Sequence, residues 1–211
     1  MSDLFAAVRP ACEQLREGVY LLSGFADPEM LFHEIPRILA AAPLRHMVTP
    51  GGRQMRVAMS NCGPFGWVSE RSGYRYAATD PESGSPWPSM PQSFRDLAAR
   101  AADAAGFGVF EPDACLVNCY ATGSSLSAHQ DMDEADRNWP IVSVSIGVSA
   151  TFLLYGLKRG GTPQQVRLHS GDVIVFGGPS RLIYHGVKRL EAGYHPLTGS
   201  CRYNLTFRRA R

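Results

Sequence analysis

The sequence predicts a mainly β domain, a β-sandwich or jelly roll with two helices packed outside it, and three observations lead there. After Pro112 the chain breaks into short alternating segments separated by Gly, Pro and Ser turns. Before that point, two stretches carry apolar residues at helical spacing. A length of 211 residues with 45% hydrophobic content is enough to bury one sizeable core, so a single domain over 1–211 is expected.

In chain order, residues 1–15 mix Pro10 with polar and small residues and read as an N-terminal arm. Gly18 to Gly24 encloses Val-Tyr-Leu-Leu-Ser and reads as a first strand. Asp27-Pro28, an N-cap and a first-turn proline, precedes Leu31, Ile35, Ile38 and Leu39, which predicts a helix to Ala42 kinked at Pro36. Residues 48–88 are rich in turn signals (Thr49-Pro50-Gly51-Gly52, Cys62-Gly63-Pro64, Ser83-Gly84-Ser85-Pro86) and carry Met59, Trp67, Tyr74, Tyr76 and Trp87. Such an aromatic loop region is either a binding surface or a cover for one end of a barrel. A second helix is predicted from Pro91 to Phe107, with Phe94, Leu97, Ala98 and Ala101 on one face. Strands follow within 113–211 at Cys115–Tyr120, Ile141–Val148, Thr151–Tyr155, Gln165–His169, Asp172–Phe176, Leu182–His185 and Arg202–Arg208.

Composition excludes some classes. A formal net charge of +2 is too mild to identify a nucleic-acid binder by itself. Cys12, Cys62, Cys115, Cys119 and Cys201 show no C-x-x-C pair or regular spacing, which points to reduced thiols in a cytoplasmic protein. The first residues lack a basic n-region and no run of about 18 apolar residues occurs, so no membrane association is expected.

The chemistry concentrates in Asn118 to Asp133. His129 and Asp131 are two residues apart, and on an extended segment they point to the same side, where both can bind one metal ion. A third ligand must come from His33, His46, His169, His185 or His195. His185 is the best candidate, because Gly186 after it lets the backbone turn away at the end of the predicted strand and leaves the imidazole facing inward. Two histidines and one carboxylate make the facial triad of non-haem Fe(II), with open positions for substrate and oxygen, although zinc accepts the same ligands.

A co-substrate site separates the two metals. In Arg202-Tyr-Asn-Leu-Thr-Phe-Arg208, alternation sends Arg202, Asn204, Thr206 and Arg208 to one face. The two arginines span roughly 20 Å of strand at about 3.3 Å per residue, which suits a dicarboxylate lying between converging side chains. Asn118 and Tyr120 share a face by the same rule and add an amide and a phenol. The competing reading is a solvated edge strand with two surface arginines.

These residues resemble a known family. His129-x-Asp131, His185 and Arg202-x-Asn204-x-x-x-Arg208 are similar to the Fe(II)/2-oxoglutarate dioxygenases. Asn118-x-Tyr120, His129-Gln-Asp-x-Asp133-Glu134 and Tyr184-His185-Gly186 resemble the AlkB family of DNA-dealkylating enzymes, as do Met47-Val-Thr-Pro-Gly-Gly52 and Trp87-Pro-Ser-Met-Pro-Gln-Ser-Phe94. The likeness covers most of the chain.

The resemblance implies a double-stranded β-helix, with iron held by His129, Asp131 and His185. It implies 2-oxoglutarate with Arg208 and Asn118 near its keto-acid end, and Arg202, Tyr120 and Asn204 around its distal carboxylate. The implied reaction uses O2 to oxidise 2-oxoglutarate to succinate and CO2, and removes N-methyl groups as formaldehyde from bases such as 1-methyladenine and 3-methylcytosine during DNA repair. Trp67 would stack on the cationic base opposite His129, Asp133 would accept from its exocyclic amine, and Met59, Tyr74 and Tyr76 would line the pocket or hold phosphates. Arg159, beside Lys158, would contact the nucleic acid. Arg53 and Met132 depart from the family wording, which has tyrosine and lysine there; both lie on the nucleic-acid side and bear on lesion range and strand preference. The expected partner is single-stranded DNA, with double-stranded DNA and RNA as further candidates, bound by a monomer.

Two other readings remain at this level. One is an iron and 2-oxoglutarate oxygenase acting on a protein or small molecule; the other is a non-catalytic, metal-containing nucleic-acid-binding domain.

Overall fold

The computed structural model describes residues 9–211. Its strands are β1 (Cys12–Arg16), β2 (Val19–Leu22), β3 (Ala58–Cys62), β4 (Gly66–Glu70), β5 (Gly73–Ala77), β6 (Ala114–Tyr120), β7 (Leu126–His129), β8 (Ile141–Gly147), β9 (Ala150–Leu154), β10 (Gln164–Leu168), β11 (Val173–Phe176), β12 (His185–Val187) and β13 (Arg202–Arg208). Helix α1 (Pro28–Ala41) lies between β2 and β3, and α2 (Gln92–Ala104) between β5 and β6. A seven-stranded sheet ordered β1-β2-β11-β8-β13-β6-β3 faces a four-stranded sheet ordered β10-β9-β12-β7, and β4-β5 form a separate hairpin. This is a double-stranded β-helix with helices outside, the expected mainly β class. Among the described residues, no helix is long and apolar enough to cross a membrane.

Alternation explains the layering. On the larger sheet Val142, Val144, Ile146, Val173, Val175, Leu205 and Phe207 point outward into a core shared with Leu31, Ile35 and Ile38 of α1 and Phe94, Leu97 and Ala101 of α2. Phe94 meets Phe207 edge to face, with ring centroids 5.8 Å apart. Each fully buried side chain of this kind contributes about 1.5–3 kcal/mol relative to exposure. The opposite face of the central strands carries Asn118, Ser143, Ser145, Arg202, Asn204, Thr206 and Arg208, all buried. The polar face therefore turns inward between the sheets, while the apolar face lies under the helices. β13 pairs on both sides, with β6 and with β8, which removes the edge-strand reading.

Helix α1 begins where Asp27 accepts from the backbone N–H groups of Glu29 and Met30, at 3.0 and 3.1 Å. It runs as one element through Pro36, which removes a backbone donor without ending the helix. α2 presents the expected face, with Phe94, Leu97, Ala98 and Ala101 buried.

Several expectations need correction. Residues 1–8 of the expected arm lie outside the described residues, and Cys12–Arg16 of the remainder forms β1 against β2. The region 48–88 holds three five-residue strands, β3, β4 and β5, too short between their turns to stand out as alternating runs. There Asn61 substitutes for a neighbouring strand: its side chain accepts from the Trp67 N–H and donates to the Trp67 carbonyl, both at 3.0 Å. β7, only four residues of Leu-Ser-Ala-His, was absent from the expected strands. β12 begins at His185 where a strand end was predicted, so Gly186 lies inside the strand; a Cβ there would meet the Leu126 carbonyl oxygen at 2.6 Å. The glycine permits close approach of β7 to β12, and does not turn the chain away. All five cysteines are free.

Candidate active site

The two sheets bring His129 and His185 directly opposite each other, as cross-strand partners on β7 and β12. Their ring centroids are 4.3 Å apart. Asp131 returns from just beyond β7, with carboxylate oxygens 3.6 Å from His129 Nε2 and 3.8 Å from His185 Nε2. One ligand atom from each residue lies within 4.8 Å of the other two.

Both imidazoles are pre-set for a metal. His129 Nδ1 lies 2.9 Å from the Ser127 carbonyl oxygen and His185 Nδ1 lies 3.1 Å from that of Ile183. A carbonyl can only accept, so Nδ1 carries the proton in each ring and Nε2 keeps its lone pair facing the cluster. Phe152 and Phe176 pack against His185, with centroids 5.6 and 5.0 Å away.

Electrostatics favours the ligating forms. Burial alone would raise the Asp131 carboxyl, but Arg208, with His185 and His129, outweighs it and holds the group well below the usual carboxylate range. Arg208 donates to Asp131 Oδ2 through Nε and Nη2, at 3.1 and 2.8 Å. Burial, with His129 adding repulsion, lowers His185 from 6.5 to about 4. In the metal-free protein the unfolded chain therefore takes up this proton first as pH falls. Stability is retained above pH 6.5 and is lost between 6.5 and about 4, by about 3 kcal/mol from this group at 1.36 kcal/mol per unit. Urea midpoints of wild type and His185→Gln check this: the wild-type midpoint should fall more steeply across that window.

The inward rail supplies an anion site. Arg202 is 2% exposed; its Nη2 donates to Ser145 Oγ at 3.0 Å and its guanidinium lies 4.9 Å from the Tyr120 ring centroid. Its Nε and Nη1, and the Asn118 Oδ1, are buried without a partner. A buried guanidinium with two unused donors is costly unless an acceptor arrives, and a carboxylate fits it. Asn204 plays a different part: its amide donates to Ser143 Oγ and the Val144 carbonyl, both at 2.9 Å, and its oxygen accepts from Asn118 and Thr206. It orients Asn118 and has no donor left to offer.

A cavity of about 800 Å³ joins these groups. His129, Asp131, His185, Asn118, Tyr120, Arg202, Asn204, Arg208, Met59, Trp67, Tyr74, Asp133 and Arg159 all line it. Trp67 stacks on Tyr74, with centroids 5.5 Å apart and planes 15° apart, and its Nε1 donates to Asp133 Oδ2 at 2.8 Å. Arg53 and Arg159 are exposed at the same cavity.

Tyr76 is the exception among the residues expected here. It is buried behind the cavity wall, and its hydroxyl donates to Glu134 Oε1 at 2.7 Å. Alternation puts it on the same hairpin face as its cross-strand partner Trp67, but at a deeper position. Sequence reasoning also missed Glu134 and Arg181, both buried and paired at 2.9 Å. They are 47 residues apart, and nothing local marks either as buried.

The comparisons with known proteins point the same way. Residues 18–208 match the 2OG-Fe(II) oxygenase superfamily. The chain is 53% identical over its whole length to the alpha-ketoglutarate-dependent dioxygenase AlkB of Escherichia coli (strain K12), covering 98% of that protein. It is 38% identical over 136 residues to the nucleic acid dioxygenase ALKBH1 of Mus musculus, covering 64% of this chain and 34% of that one. The solved structure described as "The structure of OsALKBH1" superposes with a TM-score of 0.84 at 30% identity, covering 94% of this chain and 99% of that one.

Proposed function

Since the chain belongs to the 2OG-Fe(II) oxygenase superfamily, and within it to the AlkB family of Fe(II)- and 2-oxoglutarate-dependent dioxygenases, we propose that it oxidatively demethylates N-methylated bases, of the 1-methyladenine and 3-methylcytosine type, in nucleic acid. One observation carries the reading: in a single cavity the His129, Asp131 and His185 cluster faces the unpartnered donors of Arg202 on one side and the Trp67–Asp133 pair on the other.

In this reading His129, Asp131 and His185 hold the iron, and Arg202 with Tyr120 takes the distal carboxylate of 2-oxoglutarate. Arg208 and Asn118 stand at the keto-acid end, with Asn204 orienting Asn118. When bound, iron with 2-oxoglutarate and O2 supplies the oxidation that hydroxylates the N-methyl carbon, which leaves as formaldehyde while the co-substrate becomes succinate and CO2. The remaining work belongs to side chains. Trp67 offers a π face to an electron-poor cationic ring, with Met59 and Tyr74 around it. Asp133 keeps Oδ1 free to accept from the exocyclic amine while Oδ2 holds the indole, and its charge balances the methylated base. Phe152 and Phe176 keep water from the His185 side. Arg159 and Arg53 face the phosphates.

We read 1–211 as one oxygenase domain acting as a monomer in the cytoplasm, with 113–211 as its β core and 48–88 as the nucleotide-recognition region. Asp131 and His185 are buried within the cavity, so the base must be unpaired or flipped to reach them, which favours single-stranded DNA and admits RNA. Mass spectrometry of a 1-methyladenine trinucleotide, incubated with Fe(II), 2-oxoglutarate and O2, should show loss of one methylene mass together with formaldehyde. An unchanged mass would remove the proposal and leave the protein or small-molecule reading in its place.

A further inference from the structure

Beneath the metal cluster lies a buried charged network that the chemistry above does not use. Glu134, three residues after Asp131, has a side chain 2% exposed. Its Oε2 accepts from Arg181 Nη2 at 2.9 Å; its Oε1 accepts from the Tyr76 hydroxyl at 2.7 Å and lies 3.5 Å from Arg208 Nε. Arg181, itself 4% exposed, also donates to the Asp131 carbonyl at 2.7 Å and to the Trp139 carbonyl at 2.8 Å. Asp131 is thus held at both ends, its carboxylate by Arg208 and its main chain by Arg181, with Glu134 between the two guanidiniums.

We propose that Glu134 is a positioning residue that, with Arg181, fixes Asp131 for the metal and, with Tyr76, docks the β4–β5 hairpin onto the metal-binding segment. Two physical consequences follow from the geometry. Two carboxylates and two guanidiniums form a neutral set, so neutralising Glu134 leaves an excess positive charge beside a dication site and frees Arg181 from its place on the Asp131 carbonyl. The second consequence concerns the hairpin. Trp67 and Tyr76 are cross-strand partners, and their N–H and O–H groups donate to the consecutive carboxylates of Asp133 and Glu134. The aromatic wall of the cavity is therefore anchored to the segment that carries Asp131, at two adjacent points. A network that served folding alone would hold the hairpin and Arg181 in place without altering affinity for a metal ion.

Co(II) titrated into the metal-free protein, followed by its visible absorption, tests the metal arm without turnover. Glu134→Gln should bind Co(II) about 10- to 100-fold more weakly, the range for residues that support metal ligands. Glu134→Asp, which keeps the charge, should recover most of that affinity. If the glutamine variant does not fold, Arg181→Lys serves in its place, because it keeps the charge but loses the geometry to the Asp131 carbonyl. Wild-type Co(II) affinity in the folded variant overturns this arm. Tyr76→Phe tests the hairpin arm, which rests on the nucleobase reading. It should leave Co(II) affinity unchanged and raise KM for the methylated trinucleotide by roughly 3- to 10-fold at constant kcat, the worth of one hydrogen bond. An unchanged KM overturns the docking role. Failure of the nucleobase reading itself would show as absent turnover in wild type, with the Co(II) result intact.

Discussion

His129→Ala is expected to lower turnover of a 1-methyladenine oligonucleotide by more than roughly 1000-fold, because two protein ligands no longer define an iron site. Its melting temperature should move by less than about 2 °C. The His129 side chain is 34% exposed, and truncating such a residue typically costs within about 0.5 kcal/mol. Asp131→Ala should lose turnover equally but also lose stability. It deprives Arg208 of its closest carboxylate in a buried setting, a change worth about 3 kcal/mol, lessened from the full cost of a stranded charge because Glu134 remains 3.5 Å away. The pair separates catalysis from architecture. Formaldehyde release and thermal melts on the same preparations measure both; unfolding of the His129 variant would favour a structural metal, and full activity would remove His129 from the ligand set.

Arg202→Met is expected to raise the KM for 2-oxoglutarate by at least about 100-fold. Two unused donors facing a carboxylate offer two charge-assisted bonds, at about 1.5–3 kcal/mol each. Lysine at this position should recover part of the loss, since it restores charge without the planar fork. The same variant should melt higher than wild type when no co-substrate is present. Arg202 is buried against Tyr120 and Ser145 with no carboxylate partner, a cost that methionine removes. Succinate formation as a function of 2-oxoglutarate concentration, with melts in its absence, checks both signs. An unchanged KM would take Arg202 out of the co-substrate site.

β13 shows how far local pattern reaches. Alternation from Arg202 to Arg208 was legible, and the structure keeps it: Arg202, Asn204, Thr206 and Arg208 line the cavity while Tyr203, Leu205 and Phe207 pack on the helix side. Whether the polar face met water or the cavity was not legible, because that depends on β6 and β8 closing on both sides of the strand. His129 and Asp131 were a visible pair through spacing; His185 was one of five candidates until β12 paired with β7 and set the two imidazoles opposite each other. Tyr76 was misplaced for a related reason: in the chain it looks like Tyr74, but one hydroxyl reaches Glu134 while the other ring stacks on Trp67 in the cavity.

The amino-acid sequence by itself determined the mainly β class, the helix faces, the His129-x-Asp131 pair and the two-faced character of β13, because periodicity and turn chemistry are local properties of the chain. Tertiary structure alone decided which histidine completes the cluster, that Arg202 keeps buried donors free, and that a buried Glu134–Arg181 pair lies against the Asp131 main chain. Those facts rest on contacts between residues far apart in sequence, and on burial, which turns an ordinary charged side chain into one that must find a partner.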